Sequence, residues 1–147
     1  MVVQPSPTPT CHPFETLKVG DVMHAGVVSC PPDSSLRDVA SLMSRHGMHS
    51  VFVFDDERDR DSADAFLGIV SDLDLVAAAQ AGLETRTAGQ SAVTPILTVT
   101  TEDALDRAAD LMVENSLSHL CVIDTLTRRP VGVLSTIDVA RVIATPA

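Results

Sequence analysis

The chain contains no tryptophan and no tyrosine, and four phenylalanines are its only large aromatic rings. Recognition of nucleobases by extended aromatic stacking is therefore excluded, and any base held here must lie against aliphatic side chains. Cations are also scarce: 10 Lys and Arg stand against 20 Asp and Glu, for a formal charge of −10. Phosphate backbones are held by clustered Lys and Arg, so no nucleic-acid partner is expected. Three cysteines, Cys11, Cys30 and Cys121, are odd in number and widely spaced, matching neither a disulfide framework nor a zinc site. No apolar run approaches the roughly 18 residues that cross a bilayer. The opening Met1-Val2-Val3-Gln4-Pro5 lacks the basic-then-apolar order of a secretory signal. A cytoplasmic protein without membrane association is expected.

Enzymatic signatures are missing as well. There is no P-loop, no Gly-x-Ser-x-Gly elbow and no metal-ligand cluster. His24, His46 and His49 have no spacing that would pair them with an acid. The expectation is a protein that is not an enzyme and needs no obligatory cofactor.

What the chain does have is enough length and apolar content for a compact unit: 147 residues, 45% hydrophobic. Pro5, Pro7, Pro9 and Pro13 among Ser and Thr disfavour helix and sheet, so residues 1–15 read as a disordered tail. The acidic run from Asp55 to Asp64 reads as a solvated loop.

From Thr16 onward the sequence can be laid on itself. A shift of 69 places Gly20 on Gly89, Leu36 on Leu105, Ala40 on Ala109, Leu42-Met43 on Leu111-Met112, Val53 on Val122 and Asp55 on Asp124. A shift of 64 then places Gly68-Ile69-Val70-Ser71 through Asp74 on Gly132-Val133-Leu134-Ser135 through Asp138. Self-similarity on this scale marks two copies of one supersecondary unit.

Each copy begins with a short apolar strand, Val27 to Cys30 or Ile96 to Val99. A helix follows, with Leu36, Val39, Ala40 and Met43, or Leu105, Ala108, Ala109 and Met112, on one face. Two strands come next, Val51 to Phe54 with Phe66 to Val70, and Leu120 to Ile123 with Val131 to Leu134, and a second helix closes the copy. The expected fold is α/β of the α+β type, two β-α-β-β-α repeats over 16–80 and 88–147 joined by a linker at 81–87. Each repeat has about 60 residues, a size that buries too little surface to be robust alone, so the two should pack as a pseudo-twofold pair.

The sharpest local pattern is Gly-x-x-Ser-x-x-Asp, once as Gly68, Ser71 and Asp74 and once as Gly132, Ser135 and Asp138. Each serine stands where a strand gives way to a helix. Unpaired N–H groups there attract phosphate, and a carboxylate in the first turn can accept from both hydroxyls of a ribose. The preceding glycine permits close approach to the backbone. A capping box explains Ser-x-x-Asp equally well without any ligand.

Val19-Gly20-Asp21-Val22-Met23, Leu117 through Asp124, Val131 through Ser135 and Ile137-Asp138 together resemble the cystathionine β-synthase (CBS) domain repeat. The resemblance implies a disc-like pair, the Bateman module, whose clefts bind adenosine-containing ligands such as AMP, ADP, ATP or S-adenosylmethionine in an energy-sensing or other regulatory role. It implies that Asp74 and Asp138 hold ribose, that Ser71 and Ser135 face phosphate beside Gly68 and Gly132, and that Val28 and Leu97 flank the base. His49 and His119 stand where a phosphate-binding basic residue often occurs. It also implies a homodimer formed through helices, with the signal passing to a regulated partner or to self-association. The chain departs from the family pattern in three places. Phe52 and Cys121 stand where many members carry proline, and Phe52 is expected to crowd one cleft. The second repeat opens on Ala88-Gly89-Gln90-Ser91-Ala92, without the usual Asp and Met. Arg141, near Asp138, can reach a phosphate or only solvent. A ligand-free dimerisation scaffold is the alternative reading.

Overall fold

The computed structural model describes residues 15–55, 65–93 and 97–145. The proline-rich stretch before Glu15, most of the acidic run, Cys11 and Ile96 lie outside these. In chain order the elements are α1 (Val19–Val22), β1 (His24–Ala25), β2 (Ser29–Cys30), α2 (Leu36–His46), β3 (Ser50–Phe54), β4 (Phe66–Ser71), α3 (Asp72–Ala78), α4 (Ala88–Ser91), β5 (Thr98–Thr100), α5 (Leu105–Asn115), β6 (His119–Ile123), β7 (Pro130–Ser135) and α6 (Thr136–Ala144). The mixed α+β class and the repeated strand-helix-strand-strand-helix order are those read from the sequence. The one-turn helices α1 and α4 that open each repeat are additional.

Local chemistry accounts for the long helices. Ser35 caps α2 by accepting from the Asp38 N–H, and α2 buries Leu36, Val39 and Met43. Its counterpart α5 buries Leu105, Ala108 and Met112, the positions reached by a shift of 69. Each helix covers one sheet. The first sheet runs β2-β3-β4 and the second β1-β7-β6-β5. In both, the first strand of the repeat pairs in parallel with the next, and that one pairs antiparallel with the last.

The short opening segments are exchanged between the repeats. β1 belongs in sequence to the first repeat but pairs antiparallel with β7 of the second, with His24 opposite Val133 and Ala25 opposite Gly132. Its counterpart Val93 bridges to Ile69 of β4 in the first repeat through two 3.0 Å backbone hydrogen bonds. The opening helices follow the same rule. Gly20 N–H donates to Thr101 O at 2.9 Å, and Gly89 N–H donates to Pro32 O at 2.8 Å. A Cβ on Gly20 would sit 3.0 Å from the Thr101 oxygen, and one on Gly89 would sit 2.8 Å from the Pro32 Cβ. The glycine shared by the two repeats is thus a requirement for close backbone approach between them. Gln90 takes the capping role that Asp21 has in the first repeat: both complete capping boxes, Asp21 with Lys18 N–H and Gln90 with Thr87 N–H.

Three apolar clusters hold the molecule together. Two lie between a sheet and its helices, one centred on Leu36, Val51 and Val70 and the other on Leu105, Leu120 and Leu134. The third joins the repeats: Phe52, Cys121, Ile123 and Val133, with Val27, Phe54, Phe66 and Ile69 against them. Phe52 is 1% exposed, and its ring lies 5.7 Å from that of Phe66. It fills the core between the repeats and does not crowd a cleft, because its strand position points it toward the other sheet.

Candidate functional site

Ser135 ends β7 and caps α6. Asp138 Oδ2 accepts from the Ser135 N–H at 2.8 Å and from the Ser135 hydroxyl at 2.9 Å, while the Asp138 N–H donates back to Ser135 Oγ at 3.4 Å. Ser71 and Asp74 repeat this arrangement at the start of α3, with distances of 2.8, 2.9 and 3.2 Å. Both copies of the motif are therefore complete capping boxes, which stabilise their helices whether or not a ligand is present.

The two copies differ in what meets the second carboxylate oxygen. The Asp138 side chain is only 2% exposed, and its Oδ1 accepts from His24 Nδ1 at 2.7 Å and more weakly from Arg141 Nη1 at 3.4 Å. A buried carboxylate is stable only when its oxygens are satisfied, and these donors complete the set. At the first motif the positions corresponding to His24 and Arg141 are Val93 and Ala77. Neither side chain can donate a hydrogen bond.

Gly132 explains how His24 reaches this place. A Cβ on Gly132 would lie 2.3 Å from the His24 carbonyl oxygen. The backbone that approaches this glycine so closely is that of β1.

A cleft of about 470 Å³ opens over Ser135 and Asp138. Its polar wall carries His24, His49, Ser50, His119 and Arg141, and its apolar wall carries Met48, Val133 and Ile137. His49 Nδ1 lies 3.0 Å from Asp72 Oδ2, and its ring centroid lies 6.3 Å from that of His119. Burial pushes the His119 imidazole below its ordinary pKa; Asp72 and Asp138 pull it back up, and His49 adds to the lowering. The cleft thus offers a buried carboxylate for sugar hydroxyls, imidazoles and a guanidinium for an anionic group, and an aliphatic wall for a flat apolar group. Among the described residues no three His, Cys, Asp or Glu side chains converge as a metal ion would require, and no helix is long and apolar enough to cross a membrane.

Of the ten candidate residues named from the sequence, His49, His119, Ser135 and Asp138 meet in this cleft, and Gly132 adjoins it on β7. Gly68, Ser71 and Asp74 form the corresponding motif of the first repeat, away from this lining. Val28 packs against the first core and Leu97 against the second. His24, Met48 and Ile137 were not anticipated. His24 escapes notice because aligning one repeat on the other assigns each opening segment to its own half, whereas the fold exchanges them.

A sequence model of the CBS domain matches residues 19–81 and again 91–145. The crystal structure of CBSX2 in complex with AMP superposes with a TM-score of 0.65 at 25% identity, covering 87% of this chain and 96% of that one. The CBS domain pair of protein MJ0100, in complex with 5′-methylthioadenosine and S-adenosyl-L-methionine, superposes with a TM-score of 0.72 at 19% identity over 86% of this chain and 95% of that one, a likeness of fold. A homoserine O-acetyltransferase from Methanosalsum zhilinae is 27% identical over 131 residues, which are 88% of this chain. The chain spans about a quarter of the length of that relative.

Proposed function

The chain belongs to the CBS-domain family, and from that membership we propose that it is a regulatory module binding an adenosine-containing ligand, such as AMP, ADP, ATP or S-adenosylmethionine, between its two repeats. The observation that carries the proposal is the cleft over Asp138. A buried carboxylate, two further imidazoles at His49 and His119, and the aliphatic faces of Val133 and Ile137 stand together there. A nucleotide needs those three kinds of contact for its ribose, phosphate and base. The similarity to CBSX2, whose structure contains AMP, supports the choice of adenosine. With one arginine and otherwise imidazoles for cations, a ligand of lower charge than a triphosphate suits the site best.

Signalling would work by differential affinity: a ligand that binds one arrangement of the repeats better than another shifts the population toward it. A regulated partner, or a second copy of the chain, would read that arrangement. Leu73 and Val76 of α3 are 72% and 69% exposed, and Ile143 of α6 is 62% exposed. Apolar side chains on these two helices favour a homodimer formed through them.

One observation favours a ligand-free scaffold instead. Both Ser-x-x-Asp motifs are fully used as capping boxes, and Asp138 has its second oxygen occupied as well. A thermal-shift panel of AMP, ADP, ATP and S-adenosylmethionine against the wild type, Asp74→Asn and Asp138→Asn separates the readings. A sensor gains about 2.7 kcal/mol from a ligand at 100 times its Kd, and the gain disappears with one Asp→Asn change. A scaffold gives no shift with any of the four.

A further inference from the structure

We propose that His24 is a gate on the Asp138 cleft: a ribose-bearing ligand gains the second carboxylate oxygen only by displacing the His24 imidazole, and in doing so it loosens β1 from β7. This rests on the adenosine reading above and adds the residue that controls access to the site. Three observations lead to it. First, His24 Nδ1 holds Asp138 Oδ1 at 2.7 Å, and that oxygen is the one the capping box leaves over for a ligand. Second, His24, Asp138 and Arg141 also line a second hollow of about 770 Å³, together with Met23 and Val142. The His24–Asp138 pair thus belongs to the lining of both spaces. Third, His24 is the half-exposed end of a two-residue strand with 47% of its side chain accessible, whereas Asp138 is fixed and buried. The histidine is the partner that solvent, and so a ligand, can reach.

Among the described residues the gate stands at Asp138 and has no counterpart at Asp74. Val93 replaces His24 at the first motif and contributes no donor to Asp74. The two clefts should therefore respond differently to the same ligand. Because β1 belongs in sequence to the first repeat and is docked on the second, displacement of His24 acts on the junction between repeats. That is where a change in their arrangement would begin.

The test is calorimetric titration of AMP into the full chain as wild type, His24→Ala, Asp138→Asn and the double variant. The cleft is ligand-ready only in the fraction of molecules with His24 displaced, and a hydrogen bond to a charged group is strong enough to keep that fraction small. His24→Ala should therefore bind AMP roughly tenfold more tightly than wild type. The gain should vanish in the double variant and survive Asp74→Asn. If the wild type binds AMP through Asp138 and His24→Ala binds it no better, the gate is overturned while the adenosine reading stands. If neither protein binds, both fall. His24→Ala loses the side-chain tie but keeps the backbone pairing of β1 with β7, so it should stay folded while its Gly26 amide exchanges faster than in wild type. As a second readout on the unaltered protein, AMP should speed hydrogen exchange at the Gly26 amide, which donates to Val131 O. Unchanged exchange at saturating AMP would overturn the gate.

Discussion

Phe52 of β3 and Cys121 of β6 stand at the same point of the two repeats, separated by the 69-residue shift, and both are buried in the cluster that joins the sheets. One position is large and the other small, so the pseudo-symmetric core closes with one ring where two would collide. Phe52→Ala should cost about 3–5 kcal/mol, and Cys121→Phe should cost about 1–3 kcal/mol by overpacking. Denaturant unfolding checks both. Because the opening segments are exchanged, unfolding should follow one transition; two separable transitions would contradict the shared core.

Gly132→Ala should push β1 off β7, since the added carbon meets the His24 carbonyl at 2.3 Å. A loss of about 1–3 kcal/mol is expected. Amide exchange should rise at Gly26, whose N–H bonds to Val131 O beside this point. A variant as stable as wild type would mean that β1 adapts without cost.

Stability should fall with acid through His119. Burial holds the pKa of its imidazole below the ordinary value of 6.5. Between that lowered value and about 6.5 the unfolded chain binds more protons than the folded one, so stability is complete above the window and is lost as pH falls through it. His119→Gln should show a smaller drop in Tm than wild type between about pH 7 and about pH 5. Equal drops would assign the acid sensitivity to other groups.

Cys121 should resist thiol reagents. Burial pushes its thiol up to about 12, so almost no thiolate exists near neutral pH. Alkylation at Cys121, followed by peptide mass spectrometry, should require unfolding. Rapid modification of the native protein would show that the core between the repeats opens.

The repeat, its strand order and the capping serines are legible in the sequence because each depends on local periodicity or on residues three apart. Leu36, Val39 and Met43 announce α2 by spacing alone, and Ser71 with Asp74 announces the start of α3. The partner of Asp138 is not legible in this way. His24 lies more than a hundred residues earlier and arrives only because β1 crosses to the other repeat. Phe52 misleads for a related reason: its strand alternation is evident, but which face meets the second sheet depends on how the repeats pack. Gly20 and Gly89 carried the missing signal, since glycine at the same point of both openings implies a close backbone approach to something.

Occupancy of the cleft over Asp138 by an adenosine-containing ligand is best measured by an amide NMR titration with AMP. Saturable shifts concentrated at Ser135, Asp138, His119 and His49, lost in Asp138→Asn, are expected. A spectrum that AMP leaves unchanged, or shifts confined to residues away from this cleft, would contradict it.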